Sequence, residues 1–324
     1  MQNFLNAVVH SMMIESEGVI RVQLRPADEL VWPDITCGSH IDVVLPNGLT
    51  RSYSLIDRHG TNRHYTVAVA LDAVSRGGSA YIHQTLRIGD RLRISAPRNN
   101  FPLNEAADFS VLIAGGIGVT PIYAMARRLL VESRPFKLFY AARSRRNAAL
   151  LDELTQIREQ MPETVTLWFD DENPNRVPDL ASIVAQSPAT AHFYCCGPKP
   201  MLSAYEKACE GRDSSTVHRE YFSAASSPSA STEGADAAFN VVLARSGKTL
   251  RVQKKISLLK TLLDAGVNVP FSCEEGICGA CSTKVLCGVP DHRDVVLSDA
   301  DRASNQTMIV CCSRSMSDEL VLDL

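Results

Sequence analysis

The sequence predicts a multidomain chain: an antiparallel β-barrel, then an α/β domain with a doubly wound parallel sheet, then a small C-terminal domain beyond a linker. Three observations carry this. Short alternating strands separated by turns fill the first hundred residues, strands alternating with helices follow, and Ser223 to Ala238 holds no large apolar side chain.

In the first region, Ile41-Asp42-Val43-Val44-Leu45 and Tyr65 to Leu71 are separated by turn clusters at Pro46-Asn47-Gly48 and His59-Gly60-Thr61-Asn62. That spacing belongs to an antiparallel barrel or sandwich. The turn-rich stretch Ala96 to Pro102 ends it. Ser110 to Ala114 then leads into a helix over Ile122 to Leu130, and Lys137 to Ala141 into one over Leu150 to Gln160. With Val165 to Phe169 and Ala191 to Cys195 continuing the alternation, a parallel sheet is expected. The Ser/Ala/Gly stretch reads as a flexible linker. The expected boundaries are 1–103, 104–222, a linker over 223–237, and 238–324.

The chain carries 33 basic and 36 acidic side chains, so its net charge of −3 gives no reason to expect nucleic acid or an anionic membrane as partner. Its first twenty residues lack a signal-peptide pattern and no apolar run could span a bilayer, so a soluble cytoplasmic protein is expected. Disulfides are not needed in a chain of this size, which leaves the ten cysteines for other uses.

Four of them form a pattern. Cys273, Cys278 and Cys281 stand in Cys-x4-Cys-x2-Cys spacing, and Cys311 follows after 29 residues. This is the spacing of a plant-type 2Fe-2S cluster, a one-electron carrier working near roughly −400 mV. Zinc is the competing reading. Structural zinc sites draw on two Cys-x2-Cys-like knuckles, whereas here the fourth cysteine stands alone after Met308-Ile309-Val310, which favours iron-sulfur. Cys312 adjoins Cys311; successive strand residues point to opposite faces, so only one can face the cluster. Cys287 has no place in the pattern and reads as a structural thiol.

Gly115-Gly116-Ile117-Gly118-Val119-Thr120-Pro121 follows an apolar strand and opens a helix. Glycines there let backbone approach a phosphate at the helix N-terminus, with a tight strand-to-helix connection as the lesser alternative. Thr120 stands where the sixth-position Gly of a G-x-G-x-x-G fingerprint would be. Cys196-Gly197-Pro198 makes a second turn at a strand's carboxyl end, so the two turns could face one crevice. Cys195 reads as an inert buried thiol, and Cys196 could be one too. In the barrel, Arg51-Ser52-Tyr53-Ser54 offers a guanidinium, an aromatic face and hydroxyls, and Gly77-Gly78-Ser79 offers backbone N–H groups. An exposed strand and a turn would look the same.

Taken in order, Arg-x-Tyr-Ser, Gly-Gly-x-Ser, Gly-Gly-x-Gly-x-Thr-Pro and Cys-Gly-Pro resemble the ferredoxin-NADP reductase superfamily. With the cysteine array appended, the whole chain resembles the phthalate dioxygenase reductase family, which includes vanillate demethylase reductases. The resemblance implies an FMN-binding barrel, an NADH-binding domain and an α+β (β-grasp) ferredoxin domain. It implies that Arg51, Ser52, Tyr53 and Ser54 contact the flavin, that backbone at Val69, Ala70 and Leu71 lines its ring, and that Gly77, Gly78 and Ser79 hold its phosphate.

By the same resemblance, Gly115, Gly116, Gly118, Thr120 and Pro121 receive the nucleotide. Cys196, Gly197 and Pro198 lie near the nicotinamide, and Phe222, with Tyr221 as fallback, lies against the flavin. The alternative for Phe222 is a core residue closing the last strand. The family pattern Cys-x-Ser-Arg selects Cys311 over Cys312. NADH is favoured over NADPH, although Arg143, Arg145 and Arg146 could suit a 2′-phosphate and Asp170 and Asp171 discourage one.

The implied function is electron transfer from NADH through FMN to the cluster and on to a separate terminal Rieske non-haem iron oxygenase. A monomer is expected, Glu274 and Glu275 mark the expected docking face, and no acid or base residue is demanded. A reductase serving a diiron enzyme or a P450, and a carrier that has lost hydride transfer, are the competing readings.

Overall fold

A computed structural model describes residues 4–28, 30–57, 63–72, 75–222 and 237–324. The chain divides into two compact units, one spanning Asn3–Phe222 and one made chiefly of Ser223–Leu324. The expected linker over 223–237 falls, apart from Ala237, outside the described residues.

In the first unit, β1 (Phe4–Ser16) and β2 (Val19–Pro26) form a hairpin turning at Gly18, whose φ of 78° suits glycine. Next come β3 (Ser39–Val44), β4 (Thr50–Ser54), β5 (Tyr65–Ala70), α1 (Gly78–Gln84), β6 (Arg91–Ser95) and β7 (Arg98–Asn99). The antiparallel order is β4-β3-β6-β1-β2-β5, with β7 on β3. A bridge between Leu55 and Val67 joins the outer strands and curls the sheet into a barrel. Strand alternation points Tyr65, Val67 and Val69 inward onto Trp32, Ile41 and Ile94.

The same unit continues with β8 (Ser110–Gly115), α2 (Val119–Val131), β9 (Phe136–Ala142), α3 (Leu151–Gln160), β10 (Val165–Phe169), α4 (Leu180–Ala185), β11 (His192–Cys196), α5 (Lys199–Ala208) and β12 (Val217–Glu220). These strands are all parallel in the order β10-β9-β8-β11-β12, so the chain reverses direction across the sheet at β8. Every residue of β8 is buried, as expected for a strand covered on both faces. Leu112 and Ala114 face α2, while Val111 and Ile113 face Leu180 and Leu202.

Barrel and α/β sheet share one core. Val19, Ile56, Ala68 and Phe101 from the barrel pack in a single cluster with Ile122, Met125 and Leu129 of α2. An ion cluster reinforces the seam: buried Glu15 accepts from the Leu150 backbone at 2.7 Å and pairs with Arg21, which also reaches Glu153 at 2.6 Å.

The second unit contains β13 (Phe239–Leu243), β14 (Thr249–Val252), α6 (Leu258–Asp264), β15 (Ser282–Cys287), β16 (Pro290–Asp291), α7 (Asp299–Ser304), β17 (Thr307–Ile309), β18 (Arg314–Ser315) and β19 (Glu319–Leu322). Its mixed sheet runs β14-β13-β19-β15-β17, with β13 and β19 parallel and the other pairs antiparallel. Helix α6, capped by Ser257, turns Leu258, Leu259 and Leu262 into the core against Val241 and Leu320. Buried Arg314 is held by the carbonyls of Ile256, Ala237 and Gln253 and lies over the Phe239 ring.

The sequence reading needs two local corrections. Helix α2 begins at Val119 rather than at Ile122, so Thr120 joins Pro121, already expected in the first turn, as a helical residue. Strand β17 ends at Ile309, so Cys311 and Cys312 occupy the turn beyond it and strand alternation does not decide between them.

Candidate functional site

The two glycine turns of the α/β domain touch at the carboxyl ends of β8 and β11. A Cβ on Gly118 would lie 2.3 Å from the Cys196 carbonyl oxygen, one on Gly115 2.6 Å from Pro198, and one on Gly197 3.1 Å from the Gly115 nitrogen. These three glycines let two turns pack edge to edge. Gly116 differs: its φ is +54° and nothing lies within 4 Å on its Cβ side, so the open apex of the turn is at Gly116. Thr120 is buried and its hydroxyl donates to the Ile117 carbonyl at 3.0 Å, while Pro121 is buried in the first turn of α2. Both shape the turn from behind.

Beside these turns stands a carboxyl to which the sequence reading gave no role. Glu220 ends β12 in register with Cys196. Its Oε2 is buried without a hydrogen-bond partner, Ser54 of the barrel hydrogen-bonds the carboxyl, and burial pushes its pKa up to about 8. The Cys196 thiol is raised by its own burial and then by this neighbouring carboxylate. Ser54, Cys196 and Glu220 thus converge from β4, β11 and β12, and burial of the carboxyl favours its protonated form. Nothing local in His218-Arg219-Glu220 signals this, because the cause is tertiary.

A test follows from the sign of the shift. Folded Glu220 keeps its proton up to about pH 8, whereas the unfolded carboxyl releases it near 4.5. The stability it contributes is therefore complete below about 4.5 and lost as pH rises towards 8. Urea midpoints for the wild type should fall across that interval relative to Glu220→Gln. A gap between the two that does not change with pH contradicts the buried, neutral carboxyl.

In the barrel, the two motifs are in contact. A Cβ on Gly78 would fall 2.7 Å from Arg51 Cγ, so the arginine lies across the start of α1, and only glycine leaves it room. Gly77, just before it, has φ 95°. The serines are already committed in part. Ser52 donates to buried Asp42 at 2.6 Å, and Ser79 donates to Ser75 and accepts from the Asp72 backbone. Ser75 also receives the Gly77 and Ala80 amides. Tyr53 packs against the barrel core, and burial raises its phenol.

Val69 turns its side chain into the barrel and its carbonyl accepts from His83; Ala70 packs at the shared core, and Leu71 is exposed. Tyr221 is fixed to Glu206 by a 2.6 Å hydrogen bond, leaving Phe222 exposed beyond β12 and outside any core.

In the second unit, Cys273, Cys278, Cys281 and Cys311 are all buried. Their thiols pair. Cys273 and Cys278 are hydrogen-bonded, as are Cys281 and Cys311. The bond from Cys278, with backbone amides at Glu275, Ile277 and Cys278, holds Cys273 down to about 6, while its partner Cys278 is raised by the same contact. Cys273 with Cys278 and Cys281 with Cys311 would supply two sulfur ligands to each iron of a binuclear cluster.

Positive φ at Glu274, Gly276 and Gly279 curls the loop around this position. Cys312 also lies within hydrogen-bond reach of Cys311, but packs against Gly276, whose Cβ would stand 2.6 Å from its sulfur. Cys287, read as structural from the sequence, is exposed at the end of β15.

Comparison with known proteins agrees with both units. Residues 112–207 match the oxidoreductase NAD-binding domain family, and residues 241–316 match the 2Fe-2S iron-sulfur cluster binding domain family. The chain is 47% identical to the phenoxybenzoate dioxygenase subunit beta of Ectopseudomonas oleovorans, over 98% of this chain and 96% of that one. An intact type IV self-sufficient cytochrome P450 monooxygenase resembles it with TM-score 0.89 and 36% identity, covering 99% of this chain and 41% of the other. The structure titled phthalate dioxygenase reductase, a modular structure for electron transfer from pyridine nucleotides to [2Fe-2S], does so with TM-score 0.72 and 36% identity, covering 99% and 98%. With these matches running nearly end to end, the chain belongs to the phthalate dioxygenase reductase-like family of oxidoreductases, joining an NAD-binding domain to a 2Fe-2S domain.

Proposed function

We propose that this chain is the reductase component of a two-component aromatic-ring oxygenase or O-demethylase, taking electrons from NADH through FMN to the 2Fe-2S cluster and delivering them to a terminal Rieske non-haem iron oxygenase. The observation that carries this is the pairing of Cys273 with Cys278 and of Cys281 with Cys311, in a chain whose other unit brings Gly116, Ser54, Cys196 and Glu220 to one edge of a nucleotide sheet. When bound, the three groups supply hydride donation, conversion of a two-electron to a one-electron process, and one-electron carriage.

The protein's part is to bind and orient. Arg51 across Gly78, with the Gly77 and Ser79 backbone, is assigned to the flavin phosphate. Ser52 is assigned to the flavin as well, with its hydroxyl proton donated to Asp42. Tyr53, Ser54, Val69, Ala70, Leu71 and Phe222 are assigned to the flavin ring. Gly115, Gly116, Gly118, Thr120, Pro121, Cys196, Gly197 and Pro198 form or back the nucleotide site. Glu220 holds a proton at its carboxyl beside Ser54 and Cys196. The corresponding domains are 1–103, 104–222 and 238–324, joined by a linker over 223–237.

The acidic pair Glu274 and Glu275, at the rim of the cluster loop, is the assigned docking face for the oxygenase. No helix among the described residues is long and apolar enough to cross a membrane; the location assigned to the chain is cytoplasmic and its assigned state a monomer.

A second reading has a P450 as acceptor, favoured by the resemblance to the self-sufficient P450. Purified protein should be red-brown and release FMN on denaturation, identified by chromatography. Recovery of FAD would sink the flavin assignment. Rapid cluster-dependent reduction of a P450 and none of a Rieske oxygenase would favour the second reading.

A further inference from the structure

The loops leaving β9 and β10 meet at the carboxyl edge of the sheet, on the side away from β11. The Asp171 amide donates to the Arg143 carbonyl at 3.1 Å and ties them together. One loop carries Arg143, Arg145 and Arg146, the other Asp170, Asp171 and Glu172. Across this junction Arg145 forks onto Glu172, with Nε 2.6 Å from Oε1 and a terminal nitrogen 3.3 Å from Oε2. Its guanidinium lies over the Phe169 ring, 4.5 Å from the centroid. Asp170 accepts from the Trp168 indole at 3.1 Å, which fixes a second carboxylate beside the pair.

In doubly wound sheets the adenosine ribose of a dinucleotide reaches the carboxyl end of the strand after the glycine turn, where an acidic residue suits a 2′-hydroxyl and an arginine suits a 2′-phosphate. Arg145 is placed for the second role. The guanidinium edge formed by Nε and one terminal nitrogen is taken by Glu172, so a phosphate using that edge competes with the carboxylate; the pair is half-exposed, and the ring beneath holds the guanidinium flat.

We propose that Glu172 sets the coenzyme preference of this protein by occupying Arg145, so that a 2′-phosphate must displace a carboxylate and lie beside Asp170 and Asp171. This rests on the reading of the domain as a nucleotide site. It differs from a mere surplus of negative charge, because removing Glu172 releases a specific cation.

The test compares wild type, Glu172→Gln, Arg145→Gln and the double variant, by kcat/KM for NADPH and NADH with ferricyanide and by calorimetric titration with 2′,5′-ADP and with 5′-AMP. Glu172→Gln should raise the NADPH-to-NADH ratio by roughly threefold to fivefold and tighten 2′,5′-ADP by a similar factor without matching tightening of 5′-AMP. The double variant should lose both gains. A Glu172→Gln protein with an unchanged ratio and unchanged 2′,5′-ADP affinity overturns the inference, and so does a double variant that keeps the gain, since charge removal alone would then explain it. Wild-type protein that oxidises neither coenzyme and binds neither nucleotide overturns the nucleotide reading, and the inference with it.

Discussion

Cys311→Ser is expected to yield protein without a 2Fe-2S cluster, whereas Cys312→Ser keeps it. Cys311 is buried and paired with Cys281, completing the second of two thiol pairs. A serine oxygen is a hard ligand that replaces a soft thiolate poorly at iron-sulfur centres, so one pair would be left with a single sulfur. Cys312 lies against Gly276, 3.7 Å from the Ile309 carbonyl oxygen and 3.8 Å from the Ser313 hydroxyl. A serine there keeps the volume and can form the same contacts. Iron content and visible absorbance of the two purified variants are the measurements; cluster loss in Cys312→Ser with retention in Cys311→Ser would exchange the ligand assignment.

Ending the chain at Phe222 should leave NADH-driven ferricyanide reduction largely intact and abolish reduction of cytochrome c. The segment Asn3–Phe222 is compact by itself, with barrel and α/β sheet in one core and its last strand, β12, complete. Glu220 and Phe222 both remain. What is removed is the whole cysteine array, the one-electron exit. Parallel loss of both activities would mean that the flavin and nucleotide parts require the second unit to form. Retained cytochrome c reduction would show that the cluster is not the route.

Much of this was legible from local pattern. Apolar runs announce parallel strands, so Ser110 to Ala114 and Val165 to Phe169 fall within one residue of the buried β8 and the edge strand β10. Cysteine spacing is chemistry written directly in sequence, and it needed no fold to be read. The start of α2 was harder. Pro121 is legible as a first-turn residue, since proline is tolerated there, but the glycines before it hide that the helix begins at Val119.

Tertiary causes were out of reach. Glu220 looks like any strand-end glutamate until Ser54 and Cys196 arrive from distant segments and exclude water from it. The Arg145–Glu172 fork likewise joins loops that are separate in sequence, where each reads only as a solvated charge cluster. Alternation failed at Cys311 and Cys312 because the strand that would have imposed it stops at Ile309.

The seam where Glu15, Arg21 and Glu153 meet above a common apolar cluster has a consequence for ancestry. Swapping the barrel for a relative's would strand a buried glutamate and leave Ile122 and Met125 facing foreign shapes, so recombination inside residues 3–222 carries a heavy penalty in stability. The second unit carries an apolar core of its own, built from Phe239, Val241, Leu262 and Leu320. Inheritance should therefore pass the first 222 residues on as a single block, while the cysteine-bearing unit is free to be shuffled, moved to another end, or joined to a different acceptor.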